Sequence, residues 1–239
     1  MQLDDAVTTA RELVAGRFPE ARAAWLAGSV VSGTATATSD LDVTVLLPGP
    51  PAPFRESLEY DGWPVELFVH SRETVARWIA MDLERRRPTL VRLISSGVVL
   101  LDVDGAGLAL AEECADLLAA GPGPLSDAGR DTMRYGLTDL LDDLADSIEP
   151  VMTAAVAFAT WEVAVRLLLA ADGRWWGTGK WLVHELREYD AAHATSYSLR
   201  LHAGLAAAID RDPVLLTVVV EEILEGAGGR LWAGYRAES

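Results

Sequence analysis

Two carboxylates stand two residues apart, Asp40 and Asp42, at the start of the apolar run "DLDVTVLLP". On a strand the side-chain period is two, so both carboxylates would share one face while Leu41 turns toward a core. Carboxylates held this close repel each other, and their burial is costly unless a cation lies between them. Magnesium suits such a pair because it takes oxygen ligands and keeps substrate phosphates in its shell. The doublet predicts a metal site, with the polar start of an ordinary strand as the alternative.

A third carboxylate, Glu66, interrupts the apolar run "PVELFVH", which can pair beside the first strand. Three carboxylates on neighbouring strands can hold two divalent ions about 4 Å apart, an arrangement that serves in-line phosphoryl transfer. Glu59 or Asp61 would take this place if the hairpin has a different register.

Upstream of the doublet, Gly28 and Ser29 form a small turn after the run "AAWLA". Backbone N–H groups that no bulky side chain shields can approach a triphosphate closely. Ser39, immediately before the doublet, is included with Gly28 and Ser29 among the candidate nucleotide contacts.

The elements that must position these residues follow from hydrophobic spacing and turn dipeptides. Residues 4–17 have helical spacing, "AAWLAGS" and "DLDVTVLLP" read as strands, and Asp61-Gly62 is a strong turn signal that joins a hairpin. A helix follows "SRET", and "LVRLISSGVVLLDVDGAG" indicates a helix, a turn and a strand, with "LALAEECADLLAA" as another helix. A Gly- and Pro-rich stretch covers residues 120–129. Beyond it the predicted helices span residues 131–147, 151–171, 179–189, 196–209 and 212–225.

These elements predict an α+β fold, with an N-terminal α/β domain on a small mixed sheet over residues 1–120 and a C-terminal helical bundle over residues 121–239. "AGS", ten further residues, "DLDV" and a later "VEL" resemble the signature of the DNA polymerase β nucleotidyltransferase superfamily. Within that superfamily, the chain is most similar to small bacterial nucleotidyltransferases, which include aminoglycoside and lincosamide adenylyltransferases. The resemblance covers roughly residues 10–105.

The resemblance implies a role for each candidate residue. It assigns Gly28 and Ser29 to the triphosphate and Asp40, Asp42 and Glu66 to the metal, with two Mg²⁺ ions expected. The implied reaction moves a nucleoside monophosphate, AMP if ATP is the donor among nucleoside triphosphates, to a hydroxyl of a small molecule and releases pyrophosphate. The helical domain would bind the acceptor. A protein adenylyltransferase acting on a partner toxin and a catalytically silent nucleotide-binding protein are the alternatives.

Two residues of the helical half are further candidates. Lys180 is the only lysine in the chain, and "GKW" is similar to a stretch of the kanamycin nucleotidyltransferase family in which the lysine contacts the nucleotide. That family places a glutamate base four residues earlier, where this chain has Trp176, so the role of base does not transfer. Glu162, in an apolar helix, is either a general base alternative to Glu66 or an ordinary ion-pair partner of Arg166.

A second doublet, Asp102 and Asp104 in "LLDVDGAG", has no Gly-Ser turn at the proper distance upstream. It also leads into a Gly-rich turn rather than into an apolar strand. We interpret it as the end of a strand.

The amino-acid composition bears on the partners and the location of the protein. A net charge of −16 argues against general binding to nucleic acid and is compatible with a cationic acceptor such as an aminoglycoside. The single Cys114 provides no disulfide framework and fits a reducing cytosol, so we expect a cytoplasmic protein. The apolar run "VMTAAVAFATW" ends at Glu162, short of a membrane span, so no membrane partner is expected. A monomer and a homodimer both remain open.

Overall fold

The computed structural model describes residues 3–236 of the chain. The chain divides into two compact units, Met1–Gly121 and Pro122–Ser239, each with its own core. The first carries a five-stranded mixed sheet with helices and the second is helical, which confirms the predicted α+β class.

Nine elements make up the described part of the first unit, and the sheet has the strand order β3-β4-β2-β1-β5. The elements are α1 (Leu3–Arg17), β1 (Ala23–Ala27), β2 (Leu41–Leu47), β3 (Phe54–Tyr60), β4 (Trp63–Ser71), α2 (Arg72–Arg85), α3 (Thr89–Ser95), β5 (Val98–Asp102) and α4 (Ala106–Ala120).

The central strand β2 pairs antiparallel with β1 and parallel with β4. Its odd-numbered residues, with Leu41 and Val43 fully buried, pack in one core with α1. Leu46 and Trp25 belong to a second core on the opposite face, which is covered by α2, α3 and α4. The side-chain period of two therefore assigns Asp42 to the face of the sheet that carries these three helices.

The hairpin between β3 and β4 forms where the dipeptide signal predicts it. Asp61 and Gly62 both have positive φ, 48° and 78°, as a type I′ turn requires. Tyr60 therefore pairs with Trp63, and this turn fixes the register of the two strands up to Phe54 and Val69. The helix predicted after this hairpin, α2, begins with a reciprocal capping box between Ser71 and Thr74.

The second unit is built from five helices among its described residues: α5 (Asp127–Asp146), α6 (Pro150–Ala171), α7 (Lys180–His193), α8 (Tyr197–Ile209) and α9 (Val214–Ala227). Helix α5 begins four residues before the predicted residue 131, because Ser126 accepts a hydrogen bond from the Gly129 N–H at 3.0 Å and caps the helix earlier. Leu167 and Leu169 of α6 are fully buried in the core of this unit.

Within residues 3–236, α6 alone is long and apolar enough to cross a membrane by length and composition. Half of its most apolar window is buried inside the protein. A core helix meets the same criteria, so these two properties do not assign α6 to a membrane.

Candidate active site

The turn after β1 is shaped by a glycine that no other residue could replace without strain. Gly28 has φ +82°, and a Cβ added there would overlap the Asp42 Oδ2 atom. The backbone then curls back, because the Ser32 N–H donates to the Gly28 carbonyl at 3.1 Å. Gly28 therefore allows the turn to lie directly against the carboxylate of β2.

A hydrogen bond between two serine hydroxyl groups joins the start of the loop 28–40 to its end. Ser29 Oγ donates to Ser39 Oγ at 2.8 Å, and the Thr36 N–H also donates to Ser39 Oγ at 2.8 Å. Ser39 is followed directly by Asp40, so this bond holds the two ends of the loop beside the doublet. The structure thus brings the candidate nucleotide contacts Gly28, Ser29 and Ser39 together.

The three predicted carboxylates converge at the same end of the sheet. Asp40 immediately precedes β2, Asp42 is its second residue, and Glu66 lies opposite Asp42 in the parallel register of β2 and β4. One carboxylate oxygen from each residue lies within 4.8 Å of the other two. All three residues are half-buried, so the cluster faces solvent while its backbone belongs to the sheet.

The chemistry of this group fits a magnesium-type ion. All three side chains offer oxygen atoms, which hard divalent cations prefer, and the cluster remains open for water and phosphate oxygens. Three negative charges at this spacing repel one another, so a divalent cation would relieve an unfavourable arrangement. Asp40, Asp42 and Glu66 are therefore suited to hold a metal, and the Gly28-Ser29 turn lies against the same cluster.

The sequence analysis missed one residue of this site, Arg55. Its Nε atom donates to Glu66 Oε1 at 2.9 Å, and its Nη2 atom contacts the same oxygen. The guanidinium also lies over the Phe68 ring, 5.0 Å from the ring centroid. Alternation in "FRESLEY" places Arg55 and Ser57 on one face, but the contact depends on the register in which Arg55 opposes Phe68. An arginine thus neutralises part of the charge of the cluster.

The alternatives for the third carboxylate lie elsewhere. Glu59 is exposed and pairs with Pro64 in the hairpin, and Asp61 is the first residue of the turn itself. The structure brings Glu66 to the doublet instead.

The second doublet has a structural role. Asp102 accepts hydrogen bonds from the backbone N–H groups of Gly105, Gly107 and Leu108 at 3.0–3.2 Å, and so caps α4. Asp104 forms an ion pair with Arg22. This agrees with the interpretation of these residues as the end of a strand.

Lys180 and Glu162, the two candidates of the helical unit, lie in different surroundings. Lys180 is the exposed first residue of α7, and its nucleotide contact stays a prediction. Glu162 pairs with Arg166 at 2.6 Å one helical turn on, which is the ordinary ion pair considered for it.

Comparison with protein families gives a match within the first unit. Residues 8–94 match the nucleotidyltransferase domain family. The match contains the turn, the doublet and Glu66, and it supports a transferase role for the nucleotidyltransferase domain.

Other comparisons add little to this result. No curated protein matches the chain. Among solved structures, the chain is similar to a nucleotidyltransferase-like protein from Exiguobacterium sibiricum 255-15, with 13% identity, a TM-score of 0.39, and 92% of this chain and 79% of the other covered. We draw no argument from a similarity of this size.

Proposed function

We propose that the protein transfers a nucleoside monophosphate from a nucleoside triphosphate, with ATP as the favoured donor, to a hydroxyl group of a small molecule. One observation carries this proposal: three carboxylates converge within 4.8 Å beside a glycine turn inside a nucleotidyltransferase domain. In the reaction the acceptor oxygen forms a bond to the α-phosphorus, the bond to the bridging oxygen breaks, and pyrophosphate leaves.

The carboxylates divide the work by position. Asp42 lies against Gly28, so Asp40 and Asp42 would hold the metal beside the Gly28-Ser29 turn, and Glu66 would hold it from β4. Two Mg²⁺ ions bound here would neutralise phosphate charge and favour the ionised form of the acceptor hydroxyl. Glu66 is our candidate for accepting the hydroxyl proton, because it belongs to the carboxylate cluster, whereas Glu162 does not.

The turn residues bind the phosphate groups that leave as pyrophosphate. Backbone N–H groups near Gly28 and the hydroxyl groups of Ser29 and Ser39 are donors suited to phosphate oxygens.

Pyrophosphate release from ATP with Mg²⁺ tests the proposal. The Asp42→Asn variant should lose at least about 100-fold in rate, since even the loss of a residue that only supports a metal ligand costs roughly 10–100-fold. Asp104→Asn is the matched control, because it alters the second residue of the other doublet and should leave the rate unchanged.

An acceptor screen with ATP labelled at the α-phosphate completes the test. Label transferred to a small molecule and lost in Asp42→Asn supports the proposal. Label found only on protein would favour the protein adenylyltransferase alternative, and no transfer to any acceptor would favour a silent nucleotide-binding protein.

A further inference from the structure

A cavity of about 300 Å³ opens beside the carboxylate cluster, on the same face of the sheet. It lies between β3, β4, α2 and α3. Its lining is mainly apolar and includes Phe68, Trp78, Leu90 and Leu93. This volume is at the small end of the range for ligand sites, roughly 300–1,000 Å³, so it suits a compound of one to three rings.

The cavity starts within reach of the metal site. Phe68 lines it and follows Glu66 by two residues on β4, so both side chains lie on one face, about 7 Å apart along the strand. Arg55 connects the two regions directly, because it contacts Glu66 and also lines the cavity. A small molecule in the cavity could therefore present a hydroxyl near Glu66.

The order of the strands assigns this side to the acceptor. In-line displacement at phosphorus places the attacking oxygen and the leaving group on opposite sides of the phosphorus atom. Gly28 and Ser29 follow β1, on one side of β2, while Glu66 and the cavity belong to β4 and β3 on the other side. If pyrophosphate leaves from the turn, the acceptor must approach from the cavity.

The charge of the lining is unusual for this chain. Three arginines line the cavity, Arg55, Arg85 and Arg87, in a chain with a net charge of −16. Its carboxylate, Asp82, is buried and already accepts hydrogen bonds from the backbone N–H groups of Leu90 and Val91 at 2.7 and 3.1 Å.

Asp82 contributes one negative charge to this lining at neutral pH, and His70 adds little positive charge. Burial raises the pKa of Asp82 to about 6, although the backbone N–H groups of Val91 and Leu90 oppose the shift. Burial also lowers the pKa of His70, which favours its neutral form. The arginines therefore dominate the charge that a ligand would meet.

We propose that this cavity binds the acceptor substrate, and that the acceptor is a small hydroxyl compound with an aromatic or apolar body and an anionic group such as a carboxylate or phosphate. The anionic group pairs with Arg87, because Arg55 already contacts Glu66, and the body packs against Phe68 and Trp78. The inference rests on the proposed function. It replaces the cationic acceptor expected from overall composition, because the local lining is positive.

A matched pair of dyes tests the cavity without any reaction. Anilinonaphthalene sulfonate carries an anionic group, and phenylnaphthylamine has the same rings without it. Arg87→Gln should weaken binding of the sulfonate roughly tenfold and leave the neutral dye nearly unchanged, because only the sulfonate loses a charge-assisted hydrogen bond. Arg77→Gln, on α2 but outside the lining, is the control and should change neither.

A second variant guards against an effect of folding or of a distant dye site. Leu93→Trp fills the cavity and should weaken both dyes, while circular dichroism and the unfolding temperature verify the fold. Unchanged binding of both dyes in Leu93→Trp, or of the sulfonate in Arg87→Gln, would overturn the assignment of the cavity.

The acceptor role is tested with ATP, Mg²⁺ and two alcohols, para-(hydroxymethyl)benzoate and para-(aminomethyl)benzyl alcohol. Faster transfer to the carboxylate, with the preference lost in Arg87→Gln, supports the inference. Faster transfer to the amine overturns it and leaves the proposed function intact. If no acceptor reacts while the charge-selective dye binding persists, the proposed function fails and the acceptor role with it, but the anion site stands.

Discussion

Two aspartate doublets of identical spacing, Asp40-Leu41-Asp42 and Asp102-Val103-Asp104, have opposite roles in this protein. The first stands at the start of β2, where both carboxylates meet Glu66 from the parallel neighbour β4. The second stands at the end of β5, where Asp102 caps α4 and Asp104 pairs with Arg22. The residue pattern is the same, and the partners that surround it differ.

The groups that face a carboxylate pair determine its role. Backbone N–H groups and an arginine satisfy the second doublet completely, so it needs no ion. At the first doublet a third carboxylate faces the pair, and Arg55 offsets only part of the charge. This group of three carboxylates suits the first doublet to hold a metal ion.

The largest effect should come from adding one methyl group at the first doublet. Gly28→Ala would push a Cβ into Asp42 Oδ2 and strain a residue with φ +82°. A misplacement of about 1 Å can cost roughly 100-fold in rate, so nucleotidyl transfer should fall by that order. Pyrophosphate release measures it.

Gly105→Ala is the matched control at the second doublet. Gly105 also has positive φ, 78°, but nothing lies within 4 Å of an added Cβ. Its variant should lose about 1 kcal/mol of stability and keep full activity. Equal loss of activity in the two variants would contradict the distinction between the doublets.

A smaller effect, on stability, should follow removal of the cap. Asp102→Ala leaves three backbone N–H groups without their acceptor, that of Gly105 before α4 and those of Gly107 and Leu108 within it, and should cost about 1–2 kcal/mol in the free energy of unfolding. Urea denaturation measures this cost. Asp42→Ala should cost less in the metal-free protein, because it removes repulsion; a larger cost there would show that Asp42 is structural.

Much of the fold could be predicted because its signals are local. Apolar alternation, the Asp61-Gly62 turn and helical spacing each act within a few residues, and they predicted β2, β4 and the helices, although α5 begins and α7 ends four residues outside the predicted bounds. The convergence of Glu66 on the doublet could be proposed because one charge interrupts an apolar strand.

The other features of the site depend on contacts between strands and helices that are distant in the sequence. Arg55 reaches Glu66 only through the antiparallel register of β3 and β4, and the cavity combines side chains from four separate elements. One local signal of the arginine-lined cavity was present in the sequence, because "ERRRP" places Arg85, Arg86 and Arg87 together in an acidic chain. The helix caps at Ser126 and Asp102 likewise depend on backbone geometry.

The smallest effect should appear at Arg55. Its ion pair with Glu66 involves an arginine side chain that is 64% exposed, and such pairs contribute about 0.2–1 kcal/mol. Arg55→Gln should therefore tighten binding of Mn²⁺, used as a probe for Mg²⁺, by roughly two- to fivefold, since a competing cation is removed.

Arg17→Gln is the control for this comparison. Arg17 pairs with Glu56 on the same strand, β3, whose alternation turns Glu56 to the opposite face from Arg55. Its variant should leave the affinity for Mn²⁺ unchanged. Weaker binding of the metal in Arg55→Gln would show that Arg55 supports the site rather than competes with the ion.

Binding of Mn²⁺ in the presence of a non-hydrolysable ATP analogue tests directly whether the first doublet holds the metal. The wild type and Asp104→Asn should bind the ion with the same affinity, whereas Asp42→Asn should lose at least about tenfold. Equal affinity in all three proteins, or a loss confined to Asp104→Asn, would contradict the assignment of the metal site to the first doublet.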